Sequence, residues 1–100
     1  MWLAECPFPW DQGLVRPLVT RAGAVVLMCD SCSAVWCRPE DVGADPDGPH
    51  ARERYSVPSA PGWETGCGAD VRPGTVRWAR EADVARAGWA GLRWHRDGTG

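Results

Sequence analysis

The chain has 100 residues, with 11 basic and 13 acidic side chains and a formal net charge of -2. This length suits one domain, and the near-balanced charge argues against a general attraction to nucleic acid or to anionic membranes. The five cysteines are an odd number, and we find neither an apolar leader nor an apolar run long enough to span a bilayer. We therefore expect a cytoplasmic protein without membrane association, in which thiols serve as ligands rather than as a disulfide framework.

The first third of the sequence predicts a β-hairpin. Cys6 lies in a turn bounded by prolines, and residues 14–20 are typical of a strand in which Pro17 favours an edge position. An Arg-Ala-Gly turn and a returning strand follow over residues 21–28. This hairpin would bring Cys6, before its first strand, beside Cys29, after its second.

The middle of the chain is rich in loop signals. Residues 39–43 predict one helical turn, with proline in its first position and glycine after its last. Proline, glycine and aspartate dominate residues 45–49, and a second run over residues 58–68 is equally unsuited to regular structure. Residues 52–57 alternate weakly, as a short strand does.

The C-terminal part predicts one strand and one helix. Residues 75–79 alternate as in a half-buried strand, and residues 81–87 form a helix that Gly88 ends. In a Schellman cap of this kind, Val84 and Trp89 are the two residues that make the accompanying apolar contact. Trp89 should therefore point inward.

Together these elements predict an α+β fold, with a small antiparallel sheet, a C-terminal strand and one short helix. We expect a single domain over residues 1–100. Its predicted segments are the hairpin with the cysteine pair that follows it (3–37), a loop-rich acidic segment (38–73), a strand and helix (74–94) and a tail (95–100).

The cysteines follow a recognisable spacing: Cys6 precedes the hairpin, and Cys29 and Cys32 follow it as a Cys-x-x-Cys knuckle, trailed by an aromatic residue. This spacing resembles that of small bacterial zinc-ribbon proteins. The first knuckle of such proteins is Cys-Pro-x-Cys, and here Pro9 stands at its second cysteine. The resemblance covers residues 6–37 and implies a zinc ion held by the three thiolates.

Three thiolates do not complete a structural tetrahedral site. We rank Cys67 first as the fourth ligand and His50 next, and Asp11 is a further candidate through its oxygen. Cys37 would lie roughly 16 Å from Cys32 along an extended chain and is expected to be a small buried hydrophobe. A ribbon without metal is the alternative reading.

The function that this reading favours is a non-catalytic, zinc-stabilised protein-binding or adaptor module, such as a small regulatory or immunity-type partner. His50 and His95 have no recognisable nucleophile beside them, so we do not expect an enzyme. The alternative is a nucleic-acid-binding zinc ribbon, because residues 71–100 hold six arginines among tryptophans. A thiol redox switch at Cys29 and Cys32 ranks third.

The partner surface is predicted from the tryptophans. The chain has seven Trp but only one Phe and one Tyr, so most Trp should be core. Trp94 lies in a polar segment between Arg93 and Arg96, and these three residues are the predicted contact surface. The alternative is that Trp94 folds back against the sheet beside Trp78.

Overall fold

An antiparallel sheet organises the part of the chain that the computed structural model describes, residues 1–8, 11–43, 54–58 and 62–96. Within these residues the fold is α+β, as predicted, and neither helix is long and apolar enough to cross a membrane. The strands are β1 (Ala4–Glu5), β2 (Leu14–Val19), β3 (Val25–Cys29), β4 (Val35–Trp36) and β5 (Arg77–Trp78), and the helices are α1 (Pro39–Val42) and α2 (Glu81–Arg86). The predictions for Pro9, residues 45–49 and His50 lie outside the described residues.

The predicted hairpin is present as β2 and β3. Its register runs from Val15 opposite Cys29 to Val19 opposite Val25. The turn between the strands is closed by the Thr20 amide, which donates to the Ala24 carbonyl at 2.8 Å. Gly23 adopts a φ of +88°, a conformation that glycine allows at little cost.

The expected edge position of β2 is wrong, because β2 is paired along both of its edges. β3 covers one edge, while β1 and β5 share the other. The Pro17 carbonyl accepts the Ala79 amide at 2.8 Å on that shared edge. Since the amide and carbonyl of a strand residue point to the same side, the missing N–H of Pro17 falls beside β5 rather than toward β3. The β2–β3 ladder therefore loses no hydrogen bond.

The two faces of the sheet carry separate apolar clusters, because successive side chains of a strand point to opposite faces. The first cluster surrounds Val15, Leu27 and Trp36, and the half-buried Trp89 and Trp94 pack against it. The second cluster is smaller, and it consists of Leu18, Val26, Met28, Val35 and Val71. The first cluster also contains Cys6 and Cys29, so it adjoins the predicted metal ligands.

Helix α2 ends in the predicted Schellman cap. The Trp89 amide donates to the Val84 carbonyl and the Gly88 amide to the Ala85 carbonyl, each at 3.0 Å, and Gly88 has a φ of +83°. These are the two hydrogen bonds that define the motif. The cap turns Trp89 back toward the first cluster, which it contacts as a half-buried residue.

The segment after this cap is tied to the start of the chain. Trp2 and His95 exchange backbone hydrogen bonds of 2.9 and 2.8 Å, and their rings stack with centroids 4.1 Å apart. The Trp94 indole Nε1 donates to the Trp89 carbonyl at 2.8 Å, so Trp94 is half-buried against the first cluster. Trp78, which we expected to be half-buried, is 46% exposed.

Asp83 holds the C-terminal strand and helix together. Its carboxylate accepts two hydrogen bonds from the Arg77 guanidinium, at 2.8 and 3.0 Å, one from the Arg80 amide and one from Arg86. Arg77 foremost, with the other donors, holds the pKa of Asp83 well below its usual value of 3.8. The charged carboxylate thus links β5 to the first turn of α2.

We predict that Asp83→Asn lowers the melting temperature at pH 7. We also predict that the melting temperature of the variant falls less than that of the wild type as the pH is lowered. Because the folded-state pKa is depressed, the stabilisation is fully present above the ordinary pKa and is lost as the pH falls below it toward the folded value. Thermal melts between pH 2 and 7 would measure both effects. Glu64→Gln, which changes an exposed carboxylate in the same way, is the control. A variant with the wild-type pH profile would contradict the role of Asp83.

Candidate metal centre

Four potential ligand atoms converge between the first loop of the chain and the turn after β3. They are the sulfurs of Cys6, Cys29 and Cys32 and a carboxylate oxygen of Asp11, and all lie within 4.8 Å of one another. Cys6 and Cys29 are buried, while Asp11 and Cys32 are half-buried. This group could hold a metal ion.

The first two ligands come from the loop between β1 and β2. The Cys6 amide donates to the Gly13 carbonyl at 2.9 Å, which closes the loop just before β2 begins. Inside it the Asp11 amide donates to the Phe8 carbonyl at 3.1 Å, and the Asp11 carboxylate accepts the Gly13 amide at 2.9 Å. These bonds turn the carboxylate of Asp11 and the thiol of Cys6 toward the same point.

The other two ligands lie on the turn from β3 to β4. The Cys29 amide donates to the Ala34 carbonyl at 2.9 Å, and the Ser33 amide donates to the Cys29 carbonyl at 3.2 Å. Ser33 has a φ of 64°, the left-handed conformation that lets the chain reverse here. The turn places the thiols of Cys29 and Cys32 on one side.

Gly13 lets the loop approach this turn closely. A Cβ at this position would lie 2.5 Å from the Cys29 sulfur and 2.7 Å from Cβ of Ser31. Such contacts are too short for any side chain, so glycine is required here by space rather than by backbone conformation. Nothing in the sequence around Gly13 had indicated this role.

Two distances within the group match the edges of a tetrahedral site. With a metal–sulfur bond of about 2.3 Å and a metal–oxygen bond of about 2.1 Å, a tetrahedral zinc ion places two sulfurs about 3.8 Å apart and a sulfur about 3.6 Å from an oxygen. The sulfurs of Cys6 and Cys32 are 3.8 Å apart. The Cys29 sulfur lies 3.6 Å from Oδ2 of Asp11.

Burial and hydrogen bonding control the protonation of the group. Burial raises the pKa of Cys6 to about 11, and burial together with the Asp11 carboxylate raises the pKa of Cys32 well above its usual range. Hydrogen bonds, first from the Cys32 thiol, lower the pKa of Asp11 to about 2. At neutral pH without an ion, Cys6 and Cys32 are therefore protonated beside an ionised carboxylate.

Two backbone amides oppose this protonation. The Phe8 amide donates to the Cys6 sulfur and the Ala34 amide donates to the Cys32 sulfur, and each bond favours the thiolate. In both cases the donor is two residues beyond the cysteine. The loop and the turn thus present their sulfurs in the same way, ready for a cation to replace the protons.

The structure brings together three of the predicted ligands, Cys6, Cys29 and Cys32, and places Asp11 in the fourth position. Cys67, our first choice for that position, is elsewhere, because its sulfur forms a disulfide with Cys37. The same bond corrects the expectation that Cys37 is a simple buried hydrophobe. A local signal for Asp11 did exist, since an Asp-x-Gly sequence allows the carboxylate to accept the amide two residues on.

The comparisons with known proteins add no further constraint on this site. No family model, no curated protein and no solved structure matches the chain. The likeness to zinc ribbons therefore stays a prediction from cysteine spacing. The capacity to hold a metal ion rests on the geometry of the four ligands.

We predict that Gly13→Ala weakens metal binding by about 10-fold or more, the usual effect of disturbing the residues that support metal ligands. The added methyl group would push on the Cys29 sulfur and separate it from Asp11. Titration with Co²⁺, followed through its thiolate absorption, would measure the affinity. Gly43→Ala is the matched control, because a Cβ there meets nothing within 4 Å. Equal affinities in the two variants would contradict the prediction.

Proposed function

We propose that the chain is a small, non-catalytic protein-binding or adaptor module whose fold is stabilised by a structural zinc ion. The ion would be held by Cys6, Asp11, Cys29 and Cys32. The observation that carries this proposal is the agreement of the sulfur–sulfur and sulfur–oxygen distances with the edges of a tetrahedral site.

The donor set favours zinc among the common biological cations. Three thiols are soft ligands, whereas Mg²⁺ and Ca²⁺ select oxygen donors in larger coordination shells. Four protein ligands also complete a zinc tetrahedron, which leaves no position for water or substrate. A closed site of this kind supports a structural role rather than a catalytic one.

The positions of the ligands support a stabilising role. The ion would join the loop before β2 to the turn after β3 through four coordinate bonds, two from each. A domain of about 100 residues buries a limited apolar surface, so such a link contributes a large part of its stability. Without the ion, the ionised Asp11 would remain beside protonated thiols in a partly buried site.

Apolar side chains on the surface support a protein partner. Leu92 is 39% exposed, and Arg93 next to it is exposed as well. Arg96 is also exposed and forms an ion pair with Glu81. Because Trp94 packs inward, we assign the apolar part of this contact surface to Leu92 rather than to Trp94.

Nucleic-acid binding is less well supported. Several arginines of the basic C-terminal region are already engaged with carboxylates, which reduces the positive charge offered to phosphates. The described ion pairs there join Arg72 to Asp70, Arg77 and Arg86 to Asp83, and Arg96 to Glu81. Thiol exchange at Cys29 and Cys32 is also less well supported, because a strand rather than a helix follows this pair.

We predict about one zinc per chain in freshly purified protein, and a fall in melting temperature on chelation, because metal-binding free energy is also folding free energy. Cys29→Ser should lose the metal, and Asp11→Asn should bind it more weakly. Cys37→Ser, which removes a cysteine outside this group, is the control and should keep the metal. Elemental analysis and thermal melts provide the measurements. An intact fold with no metal would leave only the shape of a ribbon and would refute the zinc site.

The partner surface is tested by Leu92→Asp. We expect stability to change by less than about 0.5 kcal/mol, as for most surface substitutions, but association with the partner to be lost. Affinity capture from the native cells, quantified by mass spectrometry, would compare this variant with the wild type. Val57→Asp, which alters another exposed apolar residue, is the control. If both variants retain the same proteins, the contact surface lies elsewhere.

A further inference from the structure

The disulfide between Cys37 and Cys67 fastens a small hairpin to the end of β4. In the hairpin the Thr65 amide donates to the Ala69 carbonyl and the Val71 amide to the Trp63 carbonyl, each at 2.8 Å. Cys67 lies at its tip, and Cys37 directly follows the last residue of β4. The bond joins residues 30 positions apart in the sequence, so it closes a long loop.

The same chain keeps three cysteines as free thiols, Cys6, Cys29 and Cys32. Thiols bind metal only in the reduced form, so a site built from three thiols favours reducing surroundings. This step rests on the proposed metal site. In such surroundings a solvent-accessible disulfide is reducible, and the disulfides that do occur there are usually transient or regulatory.

Cys67 is accessible to a reductant. Its residue is exposed, and glycines flank it on both sides, of which Gly68 adopts a φ of +81°. An added Cβ at Gly68 would meet nothing within 4 Å, so this side of the tip is open, whereas on the other side the Gly66 amide donates to Oγ of Ser56 at 3.0 Å. A thiolate from solution can therefore reach the Cys67 sulfur.

A buried hydroxyl lies beside both sulfurs. Oγ1 of Thr65 is 3.2 Å from the Cys67 sulfur and 3.9 Å from the Cys37 sulfur, and Thr65 is 6% exposed. The sulfurs of a disulfide carry no proton, so the hydroxyl is the donor. The same oxygen accepts the Ala69 amide at 3.0 Å, which holds it in place. The hydroxyl can thus stabilise a thiolate when the disulfide opens.

We propose that Cys37 and Cys67 form a reversible redox clasp. In the oxidised state a covalent bond fixes the hairpin to β4, and in the reduced state the tip keeps only non-covalent contacts such as the Gly66–Ser56 hydrogen bond. Both cysteines and Arg38 line each of two surface pockets, of about 400 and 530 Å³, so the disulfide borders both pockets. Opening the clasp therefore changes the lining of both pockets, so the redox state alters the surface that the domain presents.

The reaction is thiol–disulfide exchange with a dithiol reductant. One thiolate of the reductant attacks the Cys67 sulfur, a mixed disulfide forms, and Cys37 leaves with the electron pair of the broken bond and takes a proton. The second thiolate of the reductant then attacks the reductant's first sulfur in the mixed disulfide. This step releases Cys67 as a thiolate, which is protonated in turn. The disulfide of the protein is reduced to two thiols, and the dithiol is oxidised to a disulfide.

The test is reduction of the full, folded chain by dithiothreitol, followed by alkylation under native conditions and mass spectrometry of all five cysteines. We expect alkylation of Cys37 and Cys67 to appear with reduction. Hydrogen exchange should accelerate in residues 63–71 but not in β2 and β3. Removal of the reductant in air should restore the slow exchange and should again protect Cys37 and Cys67 from alkylation. Cys67→Ser should show the fast exchange permanently.

Thr65 provides a second readout. Thr65→Val should slow the opening of the disulfide by the reductant, because the leaving thiolate loses its hydrogen-bond donor, and Thr65→Ser should restore the rate. If the disulfide opens only when β2 and β3 also lose their protection from hydrogen exchange, the bond is a permanent structural link and the clasp is refuted. An oxidised, folded chain in which Cys37 and Cys67 stay unpaired would refute the clasp as well. Zinc measured in the same samples separates the two proposals, because a reversible bond in metal-free protein would refute the zinc site alone.

Discussion

The pairing of β2 with β3 determines where the other described strands lie. Its register places Val15 opposite Cys29, and β1, β4 and β5 then pair along the two remaining edges. A slip of one residue in this register would move every side chain of a strand to the opposite face. Cys29 would leave the cluster that contains Cys6, and the four ligand atoms could no longer converge. The register is thus both a packing constraint and the condition for the site.

The surroundings of the candidate metal centre have two opposing effects on the thiols of Cys6 and Cys32. The apolar surroundings favour protonated thiols, while the amides of Phe8 and Ala34 and the approach of Asp11 suit a bound cation. Gly13 allows these groups to come close enough, since a side chain at that position would overlap the Cys29 sulfur. A cation of the proposed kind would resolve the conflict, because it replaces the protons and neutralises the carboxylate at once.

Local patterns in the sequence predicted the local features of the fold. The hairpin, its turn and the Schellman cap at Gly88 each depend on residues within a few positions of one another, and all three are present. The same holds for Cys6, Cys29 and Cys32, because one hairpin is enough to bring them together. The interpretation of Pro17 failed because the position of β5 across the sheet cannot be read from β2 itself. Cys37 and Cys67 were misassigned for a similar reason, since their pairing depends on how a long intervening segment returns.

The bridge between Trp2 and His95 bears on the order in which the fold assembles. It joins residues that are almost the whole described chain apart, whereas the β2–β3 hairpin closes over a turn of a few residues. Closing a longer loop costs more chain entropy, and contacts distant in sequence slow folding. We therefore expect the hairpin to form early and the bridge between Trp2 and His95 to close last. In the native state the same bridge would be among the first contacts to open, so the outer edge of β1 is exposed more often than the sheet behind it.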